Sequence, residues 1–149
     1  MLVRGIVARI IIADDDEIVG QIACDALMSG GHVAGIVADG EEALKVIRHK
    51  RPDLVVLDCN MPGMNGLLVL RELRNAAEFR EMPVLVLTGR TSDRDAELAR
   101  FAGADDYMKK PFDPEELLFR VDELLAARKK NAPEATPVRQ SGFGKFRPR

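Results

Sequence analysis

The sequence predicts an α/β domain built on a parallel sheet. Three observations carry that expectation. Short runs of Val, Ile and Leu at 8–13, 54–57 and 83–88 lack polar alternation, as strands do when both faces are covered. Stretches with helical apolar spacing lie between the strand-like ones. Strands and helices alternate, five of each, along 149 residues, a length that suits one domain with its own core.

Each element has a local reason. ARIIIA (8–13) is a buried strand. Asp16 to Met28 is a helix whose apolar stripe is Ile18, Ile22 and Ala26, with Cys24 and Leu27 beside it, and Gly30-Gly31 stops it. HVAGIVA (32–38) is strand-like. After Asp39-Gly40, EEALKVIRHK places Ala43, Leu44 and Ile47 on one side of a helix that Pro52 ends. LVVL (54–57) is a strand, Leu67 to Asn75 a helix, and PVLVLT (83–88) another doubly buried strand. Ser92 or Asp93 caps a helix from 94 to about 102 that Gly103 closes. DDYMKK (105–110) reads as an edge strand. Pro114 suits the first turn of a last helix, EELLFRVDELLAAR. Phe101 and Phe119 fall at helical positions and read as packing residues.

Composition narrows the function classes. No apolar run approaches the ~20 residues of a membrane span. The start, MLVRGIVARIII, carries Arg4 and Arg9 and runs into a strand without a cleavage-type ending, so no secretory leader is expected and the location expected is cytoplasmic. Cys24 and Cys59 could pair by arithmetic, but isolated thiols suit that compartment, and no CxxC or Cys/His cluster suggests zinc. His32 and His49 stand apart and are read as neither phosphohistidine nor ligand. Six of the 22 Lys and Arg, but one of the 24 Asp and Glu, lie in 129–149, so the body carries about −7 and the tail about +5. The acidic body argues against a nucleic-acid face. We therefore divide the chain into a domain at 1–128 and a basic, flexible tail at 129–149, the one segment to which weak nucleic-acid contact could fall.

Right-handed crossovers would place the carboxyl ends of all strands on one edge, where open sheets bind their ligands. Asp14 and Asp15 follow the first strand, Asp58 ends the third, Thr88 the fourth, and Lys110 the fifth. Carboxylates gathered there would repel, and a hard divalent cation with oxygen ligands relieves this. Mg²⁺ is the expected ion, with Asp15, Asp58 and the Asn60 backbone carbonyl as direct ligands and Asp14 mostly through water; Mn²⁺ could substitute. An aspartyl side chain can act as nucleophile and accept a phosphoryl group, with Thr88 and Lys110 meeting its oxygens.

Four segments, ADDD (13–16), LVVLDCNMPGMNG (54–66), PVLVLTG (83–89) and GADDYMKKPF (103–112), together resemble the receiver domain of bacterial two-component response regulators, of the single-domain chemotaxis type. The resemblance spans 8–128. It implies a doubly wound five-stranded sheet of order 2-1-3-4-5 with five helices around it. It also implies Asp14 and Asp15 as the acidic pair, Asp58 as phosphoacceptor, Thr88 as switch hydroxyl and Lys110 as the partner lysine. The Lys110–Pro111 bond is cis in many such domains. Phosphate would come from a histidine kinase or a histidine phosphotransfer protein. Thr88 would move toward the added phosphoryl group and Tyr107 into the space behind it. That would change a protein-binding surface on the fourth helix, fifth strand and fifth helix. Asn60 and Arg90 would tune phosphoryl lifetime. Departures are Asn65-Gly66 where many relatives have Asp-Gly, and Gly89 where alanine is commoner.

The expected role is thus a phosphorylation switch that promotes its own phosphotransfer and dephosphorylation, with no separate catalytic turnover. The 21 residues after 128 are too few for an effector domain, so a stand-alone regulator, monomeric or dimerising on phosphorylation, is the primary expectation. A receiver fragment of a hybrid kinase or longer regulator is the first alternative. A Mg²⁺-dependent phosphohydrolase with an aspartyl nucleophile is the second, and Asn60 argues against it, since such enzymes use a second Asp at that place.

Overall fold

The computed structural model describes residues 6–89, 97–100 and 102–131, with backbone alone at 129–131. Five strands, β1 (Arg9–Ala13), β2 (Val33–Val37), β3 (Leu54–Asp58), β4 (Val84–Thr88) and β5 (Asp106–Lys109), form one sheet in the order β2-β1-β3-β4-β5. Every neighbouring pair is parallel. Helices α1 (Glu17–Ser29), α2 (Gly40–Lys50), α3 (Gly66–Asn75), α4 (described at 97–100) and α5 (Pro114–Asn131) connect them.

The unbroken apolar runs are the central strands: all five residues of β3 and of β4 are buried. Period-two alternation sorts them into two cores. Ile11, Val55, Leu57, Val84 and Val86 meet α2, α3 and α4 through Leu44, Ile47, Leu70, Leu73 and Ala99. Ile10, Ile12, Leu54, Val56, Leu85 and Leu87 meet α1 and α5 through Ala23, Leu27, Leu117, Val121 and Leu125. Burial of each such side chain stabilises the fold by roughly 1.5–3 kcal/mol, so the centre of the sheet fixes the positions of its strand tips.

The caps match local chemistry. Asp16 accepts from the backbone N–H groups of Ile18 and Val19, Asp39 from Glu42, and Asn65 from Leu68. α2 ends without glycine: Arg51 adopts φ 51°, because Pro52 disfavours a helical residue before it. Gly103, at φ +108°, closes α4, its N–H donating to the Arg100 carbonyl. The Lys110–Pro111 peptide is cis. Both cysteines are buried, and burial, then the Asp25 charge, pushes Cys24 up.

Several expectations need correction. The α1 stripe is rotated: Ile18 is 72% exposed and Ile22 41%, while Ala23, Cys24, Ala26 and Leu27 face the core. The reason is position: α1 packs beside β2, which is the sheet edge and itself exposes Val33 and Ile36. Phe119 is 62% exposed and does not pack. His32, read as neither phosphohistidine nor ligand, is buried in a structural role. Its Nδ1 accepts from the Ala8 N–H at 3.0 Å and its Nε2 lies 2.7 Å from Asp122, tying α5 to the start of β2. A 3₁₀ turn at Ala77–Phe79 went unread. α5 runs to Asn131, past the expected boundary at 128. Ser92, Asp93, Phe101, residues 1–5 and the tail from 132 lie outside the described residues.

Candidate functional site

The Asp14-Asp15-Asp16 run divides its work. Asp16 caps α1. Asp14 is buried just beyond β1; its N–H donates to the Val37 carbonyl at 3.0 Å, and its Oδ1 accepts from the Asp16 N–H at 2.9 Å. Asp15 is exposed at the rim. Asp58 is buried at the tip of β3, where its Oδ1 accepts from the Asn60 N–H at 3.2 Å. Pleating brings these groups together. Ile10, Ile12, Leu54, Val56 and Met108 share the α1/α5 side of the sheet, and Asp14, Asp58 and Lys110 continue their parity.

Lys110 Nζ lies 2.9 Å from Asp14 Oδ2 and 3.4 Å from Asp58 Oδ1. One oxygen from each of Asp14, Asp15 and Asp58 falls within 4.8 Å of the others. Asp14 and Asp58 thus share one ammonium, with Asp15 beside them. Burial first, then the Asp14 charge, raises Asp58 to about 6, against the smaller pull of the Asn60 N–H and of Lys110. Burial pulls the Lys110 ammonium down, but contact with Asp14 and the charges of both carboxylates outweigh it, so its net shift is upward.

Asp14 Oδ2 is buried, and its partner is the Lys110 ammonium 2.9 Å away. Three carboxylates with a single lysine between two of them are an all-oxygen donor set short of positive charge. Such a set fits a hard divalent cation.

Thr88 is buried at the tip of β4, on the opposite parity. Its hydroxyl donates to the Met108 carbonyl at 3.5 Å. Tyr107 packs half-buried against the core on that same side. Two arginines that the sequence did not single out frame it. The Arg100 guanidinium stands 5.0 Å from the ring centroid. Arg120 donates to the Tyr107 carbonyl and to Asp106, each at 3.1 Å, and to Glu116 at 2.8 Å. The Glu116–Arg120 spacing of four was a legible helix pair; nothing local linked Arg100 to the tyrosine. Asn60 is exposed beside Asp58. Arg90 lies outside the described residues.

The model of the family described as the response regulator receiver domain matches residues 10–122. The response regulator MprA of Mycobacterium sp. (strain KMS) is 42% identical over 129 residues, covering 87% of this chain and 54% of that protein. The DNA-binding response regulator MtrA of Mycobacterium leprae (strain TN) is 42% identical over 117 residues, 78% of this chain and 51% of that one. This chain therefore spans about half the length of the curated relatives it matches. Among solved structures, a putative response regulator from Chloroflexus aurantiacus J-10-fl has a TM-score of 0.78 at 33% identity, covering 81% of this chain and 99% of that one. The chemotaxis response regulator CheY4 of Vibrio cholerae has a TM-score of 0.75 at 30% identity, covering 80% and 99%.

Proposed function

The chain belongs to the response regulator receiver domain family, and from that premise we propose that Asp58 accepts a phosphoryl group from the phosphohistidine of a kinase or phosphotransfer protein. The observation that carries the proposal is a buried aspartate at a strand tip, 3.4 Å from a lysine, with two further carboxylates beside it. One Asp58 oxygen attacks phosphorus, the P–N bond breaks, and the imidazole leaves with the electron pair. The Asn60 N–H fixes the carboxylate plane. Lys110, already between Asp14 and Asp58, meets the incoming oxygens with its ammonium. Asp14, Asp15, Asp58 and the Asn60 carbonyl would hold Mg²⁺, or Mn²⁺ in its place, which supplies the positive charge that phosphoryl oxygens need. Intact-mass analysis after exposure to acetyl phosphate with Mg²⁺ should show one added phosphoryl group, absent in Asp58→Asn. Uptake that survives that substitution would sink the assignment.

The same proposal extends to the output. Phosphorylation adds about −1.5 to −2 charge and three acceptor oxygens. Thr88 would turn from the Met108 carbonyl toward them, and Tyr107 would repack beside it. The surface of α4, β5 and α5 would then shift between two states and engage a protein partner. Asn60 and Arg90 would set how long the phosphoryl group survives. Amide exchange across β5 and α5, with and without beryllofluoride, tests the shift; unchanged exchange there argues against it. Sedimentation under the same conditions separates a monomer from a phosphorylation-dependent dimer. Salt-dependent DNA binding lost on removing 129–149 would assign the tail to nucleic acid. Among the described residues no helix is long and apolar enough to cross a membrane, and a cytoplasmic site of action is part of the proposal.

A further inference from the structure

We infer that Gly40, the first residue of α2, is a positioning residue for the cation site, acting through the β3–α3 loop; this rests on the Mg²⁺ reading above. A Cβ on Gly40 would lie 2.0 Å from the Met64 carbonyl oxygen and 2.8 Å from its carbon, both backbone atoms. Non-bonded contacts settle near 3.5–4.0 Å, so one side would have to retreat by roughly 1 Å or more.

Neither side can yield without moving a site residue. On the loop side, residues 59–65 form a closed arch: the Gly66 N–H donates to the Cys59 carbonyl at 3.0 Å, and Gly66 itself is pressed against the Asp58 carbonyl, where a Cβ would come within 2.1 Å. Met61 is buried in the core, Gly63 turns the chain at φ +72°, and Asn65 caps α3. Within that arch lies Asn60, whose carbonyl is a proposed ligand and whose N–H holds Asp58. On the helix side, Asp39 accepts from the Glu42 N–H at 2.8 Å while Glu42 accepts from the Ala38 N–H at 3.3 Å. The chain just before them is tied to the site through the bond from the Asp14 N–H to the Val37 carbonyl. Displacement of the arch moves Asn60 and Asp58; displacement of the α2 start moves Asp14.

The ion's own chemistry makes this measurable. Mg²⁺ demands near-ideal octahedral geometry at short distances, whereas Ca²⁺ accepts variable coordination. A misplaced ligand set therefore loses Mg²⁺ more than Ca²⁺, while a merely less stable fold loses both alike. The test is calorimetric titration of both ions into wild type, Gly40→Ala, and two controls: Gly35→Ala, whose added Cβ meets nothing within 4 Å, and Ile47→Val, a core deletion on the same helix. The expected result is Mg²⁺ affinity at least tenfold weaker in Gly40→Ala, a smaller loss for Ca²⁺, and neither change in the controls. Parallel losses of both ions, or an unchanged Mg²⁺ affinity, overturn the inference. Wild type that binds no Mg²⁺ overturns the functional reading first, and this one with it.

A second measurement needs no variant. In wild type, Mg²⁺ should slow amide exchange at Glu41 and Glu42, in the first turn of α2, as well as at Asn60, and leave Lys50 in the last turn unchanged. Protection confined to the β3–α3 loop overturns the coupling even where Gly40→Ala fails to fold.

Discussion

The two ends of the sheet treat charge in opposite ways. At the amino-terminal edge, charged groups are paired or hydrogen-bonded. Arg74 donates to the carbonyls of Gly103, Phe79 and Met82 and to Asp105, which in turn accepts from the Val84 N–H. Asp53 accepts from the Arg9 N–H, and His32 bridges Ala8 and Asp122. At the carboxyl edge, three carboxylates crowd together with Lys110 between two of them, and Asp58 is pushed up to about 6. The same backbone supports both ends, so the imbalance is not forced by the fold. One end holds the strands together; the other holds an unfavourable charge arrangement that an added cation and a phosphoryl group would complete.

The largest expected effect follows from removing the acceptor. Asp58→Asn abolishes phosphoryl uptake, read by intact mass, and relieves repulsion, so the metal-free variant should melt a few degrees above wild type. That gain corresponds to about 1 kcal/mol. A lower melting temperature would mean the carboxyl edge is as well satisfied as the amino edge.

Lys110→Ala strips the shared cation from two buried carboxylates and should cost roughly 3 kcal/mol without metal, from uncompensated buried charge. Mg²⁺ should recover part of that loss. Denaturant titration with and without the ion measures both, and a loss indifferent to Mg²⁺ would separate the lysine from the cation site.

At the other edge, Arg74→Ala leaves buried carbonyls without their donors and should cost roughly 2 kcal/mol. Mg²⁺ affinity should be unchanged, because no Arg74 contact reaches the carboxylates. Coupled loss of metal affinity would break the division between the two ends.

Proton linkage supplies a finer comparison. Asp58 has a folded value of about 6, above its ordinary 3.8. Its protonated form is therefore favoured by folding. The stability it contributes is complete below about pH 4 and is lost as pH rises through about 6. Between pH 5 and 8 the metal-free protein should lose on the order of 1 kcal/mol that Asp58→Asn does not lose. Thermal melts at both pH values check the slope, and Mg²⁺ should flatten it. The smallest effect belongs to exposed pairs remote from either edge: Arg48→Ala, which breaks a 3.7 Å contact with Glu72, should change stability by less than about 0.5 kcal/mol.

Much of this was legible locally. β3 and β4 declared themselves because both of their faces are buried, so neither pattern nor length left an alternative. Asp14, Asp58 and Lys110 were legible because polar groups at the ends of apolar runs demand a reason. Helix caps were legible because Asp and Asn bind the free N–H groups nearest them.

What the sequence by itself determined was therefore local: the periods, the caps, and the chemistry at each strand tip. Tertiary structure decided which face each group shares. Ile18 and Ile22 repeat at helical spacing like core residues, yet they face outward because β2 is the edge strand and, among the described residues, no further layer covers them. Thr88 ends an apolar strand as Asp58 does, but pleat parity sets it on the Tyr107 face of the sheet, opposite to the face that Asp14 and Asp58 continue. Gly40 marked only the start of a helix, and its constraint comes from Met64, twenty-four positions away in the chain and in contact only once β2 and β3 are placed. A sequence fixes period and chemistry because they depend on neighbours along the chain; exposure and close approach depend on neighbours in space, which the assembled sheet alone supplies.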